Sequence, residues 1–128
     1  MAYDVYHEPQ TQTIIQHIIT EYCVDPEFLW PKQSPGSAIF RNPTTHKWFA
    51  LIMIVPAEKL GLPQTGNVEI IDLKFDKGQA LDFITASNDA SIRPAYHMNK
   101  QNWFTIVLGH NRLADTDIFY LIDKSYKL

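Results

Sequence analysis

KWFALIMIV, residues Lys47 to Val55, is the stretch that decides the fold. After Lys47 it carries no charge, and its apolar residues follow one another instead of alternating. A strand with that pattern has little solvent on either face, so it belongs in the interior of a sheet. It is also far too short for a membrane span, which needs about 20 apolar residues as a helix. Pro56 closes it. Upstream, Asn42-Pro43-Thr44-Thr45-His46 reads as a hairpin loop of turn-forming residues, and Ser37 to Asn42, after Pro35-Gly36, reads as the strand paired across it. Downstream, Pro63 to Asn67 is a second turn. Val68 to Phe75 is the next strand, with Ile71, Leu73 and Phe75 on one face and Ile70, Asp72 and Lys74 on a wetter one, where Asp72 and Lys74 are expected to neutralise each other.

Helical periodicity appears on both sides of this strand block. Ile14, Ile15, Ile18, Ile19 and Tyr22 form one apolar stripe, so the sequence predicts a helix over Pro9 to Cys23. Pro9 suits a first turn, and Asp25-Pro26 ends the helix because the residue before proline disfavours the α region. His17 falls on the solvent side, and Cys23 is expected to be a small core hydrophobe. Pro26 to Trp30 is a short turn or a single helical turn. Asp76-Lys77-Gly78-Gln79 reads as an N-cap with Gln at N3, opening a short helix through Ala80, Phe83 and Ile84 that ends at Asn88-Asp89. Ser91 to Asn102 is a loop or an irregular strand. Trp103 to Leu108 is a strand, with Phe104, Ile106 and Leu108 opposite Trp103, Thr105 and Val107. The last helix starts at Asp115 or Thr116, with Ile118, Leu121, Ile122 and Ser125 in one stripe and Lys124 and Lys127 near its negative end.

The order α-β-β-β-α-β-α implies an α+β fold in two layers, with a mostly antiparallel sheet and the helices packed on one face. The other face is expected to stay open unless a partner covers it. The 128 residues make a single domain, residues 1–128, large enough to fold on its own core. Hydrophobic residues are 45% and charged residues 20%, which excludes general disorder. The net charge of −3 excludes a globally basic nucleic-acid binder and leaves only a local patch for such a role. One cysteine, Cys23, excludes an intramolecular disulfide and a multi-cysteine zinc site. Met1 to Gln10 has no basic or apolar region of a secretory signal, so a cytoplasmic protein with no membrane association is expected.

The local patch exists. Ala90 to Ala114 contains Arg93, Lys100 and Arg112 and no acidic residue, beside Tyr96, His97, Asn99, Asn102, Trp103 and His110. Cations among aromatics and amides are the ingredients of a surface that tracks phosphates and stacks bases. Other chemistry is poorly supported. The five histidines never fall at helical ligand spacings, no HExxH or GxSxG occurs, and the five glycines are isolated. Ser37, Ser91 and Ser125 show no His/Asp partnership, and Asp115 and Asp117 are better explained as helix-capping residues. No catalysis, metal or cofactor is therefore expected. His97 is expected to fix the loop through a hydrogen bond, and Arg93 has Asp89 as a competing partner.

RPAYHMNKQNW at Arg93 to Trp103, together with KWFALIMIVP at Lys47 to Pro56, IIDLKFD at Ile70 to Asp76 and DTDIFYLIDKSY at Asp115 to Tyr126, resembles the MmcQ/YjbR family over about residues 10 to 128. The most specific part is P-x-x-H-hydrophobic-N-K-x-x-W at Pro94 to Trp103. The resemblance implies a CyaY-like or secretion-chaperone-like α+β fold, and DNA binding through a proposed double-wing motif. Pro94, His97, Asn99, Lys100 and Trp103 match by motif position, as do Lys74 and the Ser125-Tyr126 pair. Asn102 stands where the family often has His. Gly109-His110-Asn111 replaces its Asp-Gly hairpin, and Leu113-Ala114-Asp115 its Leu-Pro-Asp helix start.

Two functional expectations follow. The first is a nucleic-acid-binding module, for DNA or another nucleic acid, using Lys74, Arg93, Tyr96, His97, Asn99, Lys100, Trp103 and Arg112, with Tyr96 or Trp103 stacking on a base. The second is a protein-interaction or self-association module, a homodimer, using the open sheet face with Trp48, Ile70 and Trp103 as anchors. Trp103 is expected to be at least half buried, beside Tyr96 or His97.

Overall fold

In the computed structural model, which describes residues 4–128, the apolar run forms strand β2, Trp48–Pro56, inside a five-stranded sheet. The other strands are β1 (Ala38–Arg41), β3 (Asn67–Lys74), β4 (Ile92–Pro94) and β5 (Trp103–Val107), in the order β1-β2-β3-β5-β4 with every pair antiparallel. The helices are α1 (Pro9–Tyr22), α2 (Ala80–Ser87) and α3 (Asp115–Tyr126), and a 3-10 turn, Ala57–Leu60, follows β2. Ile14, Ile15 and Ile18 of α1 and Ile118 and Ile122 of α3 share one core with Phe49, Ile52, Leu73, Phe104 and Ile106 of the sheet, and Phe83 and Ile84 of α2 pack against its edge. The molecule is α+β, with three helices on one face of an antiparallel sheet.

β2 meets β1 through a bulge. Phe40 pairs with Ala50 and Arg41 with Trp48, so Phe49 is the extra residue. A strand alternates its side chains, and one inserted residue reverses the alternation beyond it. Phe49 and Ala50 therefore both serve the helix-side core, while Trp48 joins Leu51 and Met53 on the second face. Buried Ser125 of α3 secures the irregularity. Its hydroxyl donates to the Phe49 carbonyl (2.6 Å) and accepts from the Lys74 N–H (2.9 Å). Glu69, 6% exposed, anchors the chain ahead of α1 by accepting from the His7 N–H (2.7 Å) and the Glu8 N–H (3.3 Å).

Several expectations need correction. Ile92–Pro94 is a true edge strand, so the order is α-β-β-β-α-β-β-α; three residues ending in proline are too few to show a period. Asp76 does not cap α2. Its carbonyl accepts from the Gln79 N–H in a turn, and Gln79 occupies the N-cap position. Cys23 is not a core residue: it is exposed, in the left-handed conformation that terminates α1 (φ 55°). His17 is not free in solvent but stacks on Phe119 of α3, with ring centroids 3.7 Å apart. The β3 face expected to be wet buries Asp72 completely. The second face is open only in part. Val55, Val68, Ile70 and Val107 form a second small core covered by Ala57, Leu60, Leu62 and Tyr96 from the chain's own connections. Of the anchors expected there, Ile70 and Trp103 are buried, and Trp48 alone remains partly accessible. Of the N-terminal stretch read for a signal, Met1, Ala2 and Tyr3 lie outside the described residues. Among the described residues no helix is long and apolar enough to cross a membrane.

Ser125→Ala should lower stability by about 1–3 kcal/mol, the cost of leaving buried backbone groups unpaired, read by denaturant unfolding; an unchanged midpoint would show that the bulge does not depend on this hydroxyl.

Candidate functional site

The motif segment that follows β4 runs back across the second face and is held by its own polar atoms. Thr105 of β5 accepts from the Tyr96 N–H (2.9 Å), and its hydroxyl donates in a short hydrogen bond to the Asp72 carboxylate on β3. Asn99 accepts from the Gln101 N–H (2.8 Å) and the Asn102 N–H (3.2 Å), while its carbonyl receives the Trp103 N–H (2.9 Å). This is the local turn chemistry of an Asx side chain, so the Asn99 side-chain oxygen shapes the loop. Asn102 accepts from the Gly78 N–H (2.9 Å) and ties the loop to the start of α2. His97 is held in the left-handed region (φ 67°) and makes no hydrogen bond among the described residues; its ring packs on Tyr96, with centroids 4.2 Å apart.

Arg93 does not pair with Asp89. Asp89 accepts from the Ser91 N–H (2.9 Å) and hydroxyl (2.6 Å), and the Arg93 guanidinium donates to the carbonyls of Leu60 (2.5 Å) and Ala90 (3.4 Å). Two neutral acceptors fix the guanidinium without cancelling its charge. The bond to Leu60 also draws the 3-10 turn against the loop, which brings in Lys59, a residue that the sequence reading did not single out. The result is a pocket of about 510 Å³ with Lys59, Arg93, Lys100, Tyr96, His97 and Met98 in its wall, and no carboxylate there. Lys59 and Lys100 are exposed, and no ion pair involves any of the three cations among the described residues. Glu58, next in sequence, faces a separate hollow.

The remaining candidates lie elsewhere. Trp103 is only 8% exposed, and the Lys74 ammonium sits 5.8 Å from its ring centroid. The indole is therefore a wall of the fold, closed to a stacking base, and its close partner is Lys74, where Tyr96 or His97 was expected. Burial, with Lys47 nearby, pulls the Lys74 pKa down, and Lys74 does not line the pocket. Arg112 is exposed in the turn after the far end of β5. Lys100 precedes the near end, so a strand of five residues, roughly 17 Å long, lies between them. The acid-free window is thus two separate patches.

A second hollow, of about 440 Å³, shares His97 and Met98 with the first; Trp30, Trp48, Leu51 and Met53 supply its apolar wall. Trp30, 38% exposed, meets Trp48 edge to face at 6.0 Å. The Arg41 guanidinium lies 5.9 Å from the Trp48 ring and is fixed by Glu27 at 2.9 Å. Trp30 gave no sequence signal beyond being an aromatic in a turn. Trp48 faces this way only because of the bulge.

Asp72 lies beneath the site. One carboxylate oxygen bonds Thr105, and the other is buried without a hydrogen-bond partner among the described residues. Burial pushes its pKa up to about 7 against the opposing effects of the Thr105 hydrogen bond and the Lys100 charge. The folded protein therefore keeps a proton that the unfolded chain, with an ordinary Asp value of 3.8, gives up. Between about pH 4 and 7 this group costs increasing stability as pH rises; above 7 both states are ionised and the cost levels off.

Two measurements check these assignments. The stability of Asp72→Asn relative to the parent should improve with pH by up to about 1.4 kcal/mol per unit across pH 4.5–6.5, and a difference that is flat with pH would mean an ionised Asp72. Trp103→Ala should cost roughly 3–5 kcal/mol in unfolding free energy, as for deletion of a buried large aromatic; normal melting would mark it as an exposed contact.

The YjbR family model matches residues 22–128. Uncharacterized protein YyaQ of Bacillus subtilis is 35% identical over 117 residues, covering 91% of this chain and 95% of that protein. Uncharacterized protein YjbR of Escherichia coli is 42% identical over 38 residues, 30% of this chain and 31% of that one. A crystal structure of a Pseudomonas syringae protein, 34% identical, superposes with a TM-score of 0.81 over 91% of this chain and 95% of its own. A Deinococcus radiodurans protein, 19% identical, shares the fold at a TM-score of 0.59 over 88% of this chain and 75% of its own.

Proposed function

The chain belongs to the YjbR family, and on that premise we propose that it is a non-enzymatic module that binds nucleic acid through the phosphates. The observation that carries this reading is the pocket in which Lys59, Arg93 and Lys100 converge without a carboxylate. In a chain of net charge −3, three cations that line one pocket and form no ion pair among the described residues favour a polyanion at that place, while the remaining charge opposes it elsewhere. Arg93 supports the reading most strongly, since its backbone contacts preorganise a guanidinium that keeps donors for phosphate. Of the expected contact residues, Arg93, Tyr96, His97 and Lys100 stay in the proposed interface and Lys59 joins them. Lys74, Asn99, Trp103 and Arg112 leave it for the reasons given above.

The test is binding to DNA titrated with salt. Three phosphate contacts should give a slope of log K against log salt of about −2 to −3. Lys59→Ala and Lys100→Ala should each reduce its magnitude by about 1 and weaken all sequences alike, while Arg112→Ala should leave it unchanged. Absence of binding at about 50 mM salt, with the fold intact, would discard this function.

A further inference from the structure

We propose that the nucleic acid taken is single-stranded, with a phosphate on the cationic pocket and a neighbouring base in the aromatic groove. The inference deepens the phosphate-binding reading and rests on it. The two hollows are adjoining parts of one surface, because His97 and Met98 belong to both walls. One side is cationic; the other is lined by Trp30, Trp48, Leu51 and Met53, with Gln33 and Ser34 as polar groups at hand. A ligand complementary to both parts carries an anion directly beside a flat apolar ring that has hydrogen-bonding edges. A nucleotide unit in a strand has that composition. In a duplex the base faces are stacked and the pairing edges engaged, so only the phosphates could be met; in a single strand the base can turn into a groove.

Two features prepare the groove for a ring. The bulge at Phe49 places Trp48 beside Leu51 on the groove side. Arg41, locked to Glu27, and Trp30, set edge to face, hold the Trp48 indole in place, so little order is lost when a base arrives. Glu27, the acid beside this groove, is neutralised by Arg41.

The experiment follows tryptophan fluorescence at about 50 mM salt with a ten-residue oligothymidylate, a duplex of the same length, and thymidine monophosphate. Trp30 and Trp48 report from the groove, and buried Trp103 gives a constant background. The single strand should quench and bind at least about tenfold more tightly than the duplex, with the mononucleotide weaker still. Trp48→Ala should weaken the single strand by about 5- to 100-fold, the range for one stacked base, and leave its salt slope and duplex binding unchanged. Trp48→Phe, which keeps a ring, should recover much of the loss and controls for folding. Equal binding of duplex and single strand, with Trp48→Ala silent and Lys100→Ala harmful, would overturn the single-strand inference and leave phosphate binding standing. A mononucleotide as tight as the oligomer would overturn it in favour of a small ligand. Failure of all three probes, or a solution mass of two chains with the groove tryptophans shielded and no nucleic acid bound, would remove both readings.

Discussion

The hydroxyl of Ser125 is the point on which sheet and helices agree. A bulge in an interior strand interrupts the ladder, and unpaired backbone groups in a buried place are costly. Here one side-chain oxygen from α3 answers two of them, the Phe49 carbonyl and the Lys74 N–H. The same contact joins α3 to β2 and β3 at once. It permits two successive residues, Phe49 and Ala50, to feed the helix-side core, and it turns Trp48 to the opposite face. The architecture of the helix layer and the chemistry of the second face thus depend on one bulge.

A second constraint runs across the sheet. Leu51, Asp72, Thr105 and Arg93 are successive cross-strand neighbours on β2, β3, β5 and β4. The row passes from the apolar groove through a buried carboxyl group to the cationic pocket. Asp72 costs stability when ionised, and its second oxygen has no hydrogen-bond partner among the described residues. Its partnered oxygen orients Thr105, which then receives the Tyr96 N–H. The loop bearing His97 and Lys100 is therefore positioned by a group whose environment is unfavourable for its charge, a pattern common at functional sites.

Charge is arranged by the same logic of neutral anchoring. An arginine fixed by a carboxylate offers little net field to a ligand, whereas one fixed by backbone carbonyls keeps its charge. Arg93 is of the second kind, and Arg41, bound to Glu27, is of the first. That difference decides which of two arginines, on the two edge strands of the sheet, can attract an anion and which one serves to hold Trp48.

The sequence by itself determined the α+β class, the interior position of the Lys47–Val55 run, the stripes of α1 and α3 and the faces of β5, because these depend on hydrophobic periodicity, which is local. The family pattern at Pro94 to Trp103 also lay open in the sequence, and it marked a segment that does line the pocket. Only the tertiary structure decided which of those residues face a ligand. Asn99 and Trp103 matched the motif as well as Lys100 did, yet the side-chain oxygen of one shapes the turn and the other is buried under Lys74. Arg112 shared the acid-free window, but a strand separates it from Lys100. Lys59 and Trp30 were missed because their places follow from a guanidinium–carbonyl bond across 33 residues and a folded-back turn, and Trp48, expected on the second face, reaches it only through a bulge. Periodicity reports which side of an element is apolar; which elements meet, and which of their charges remain uncompensated, is set by long-range packing.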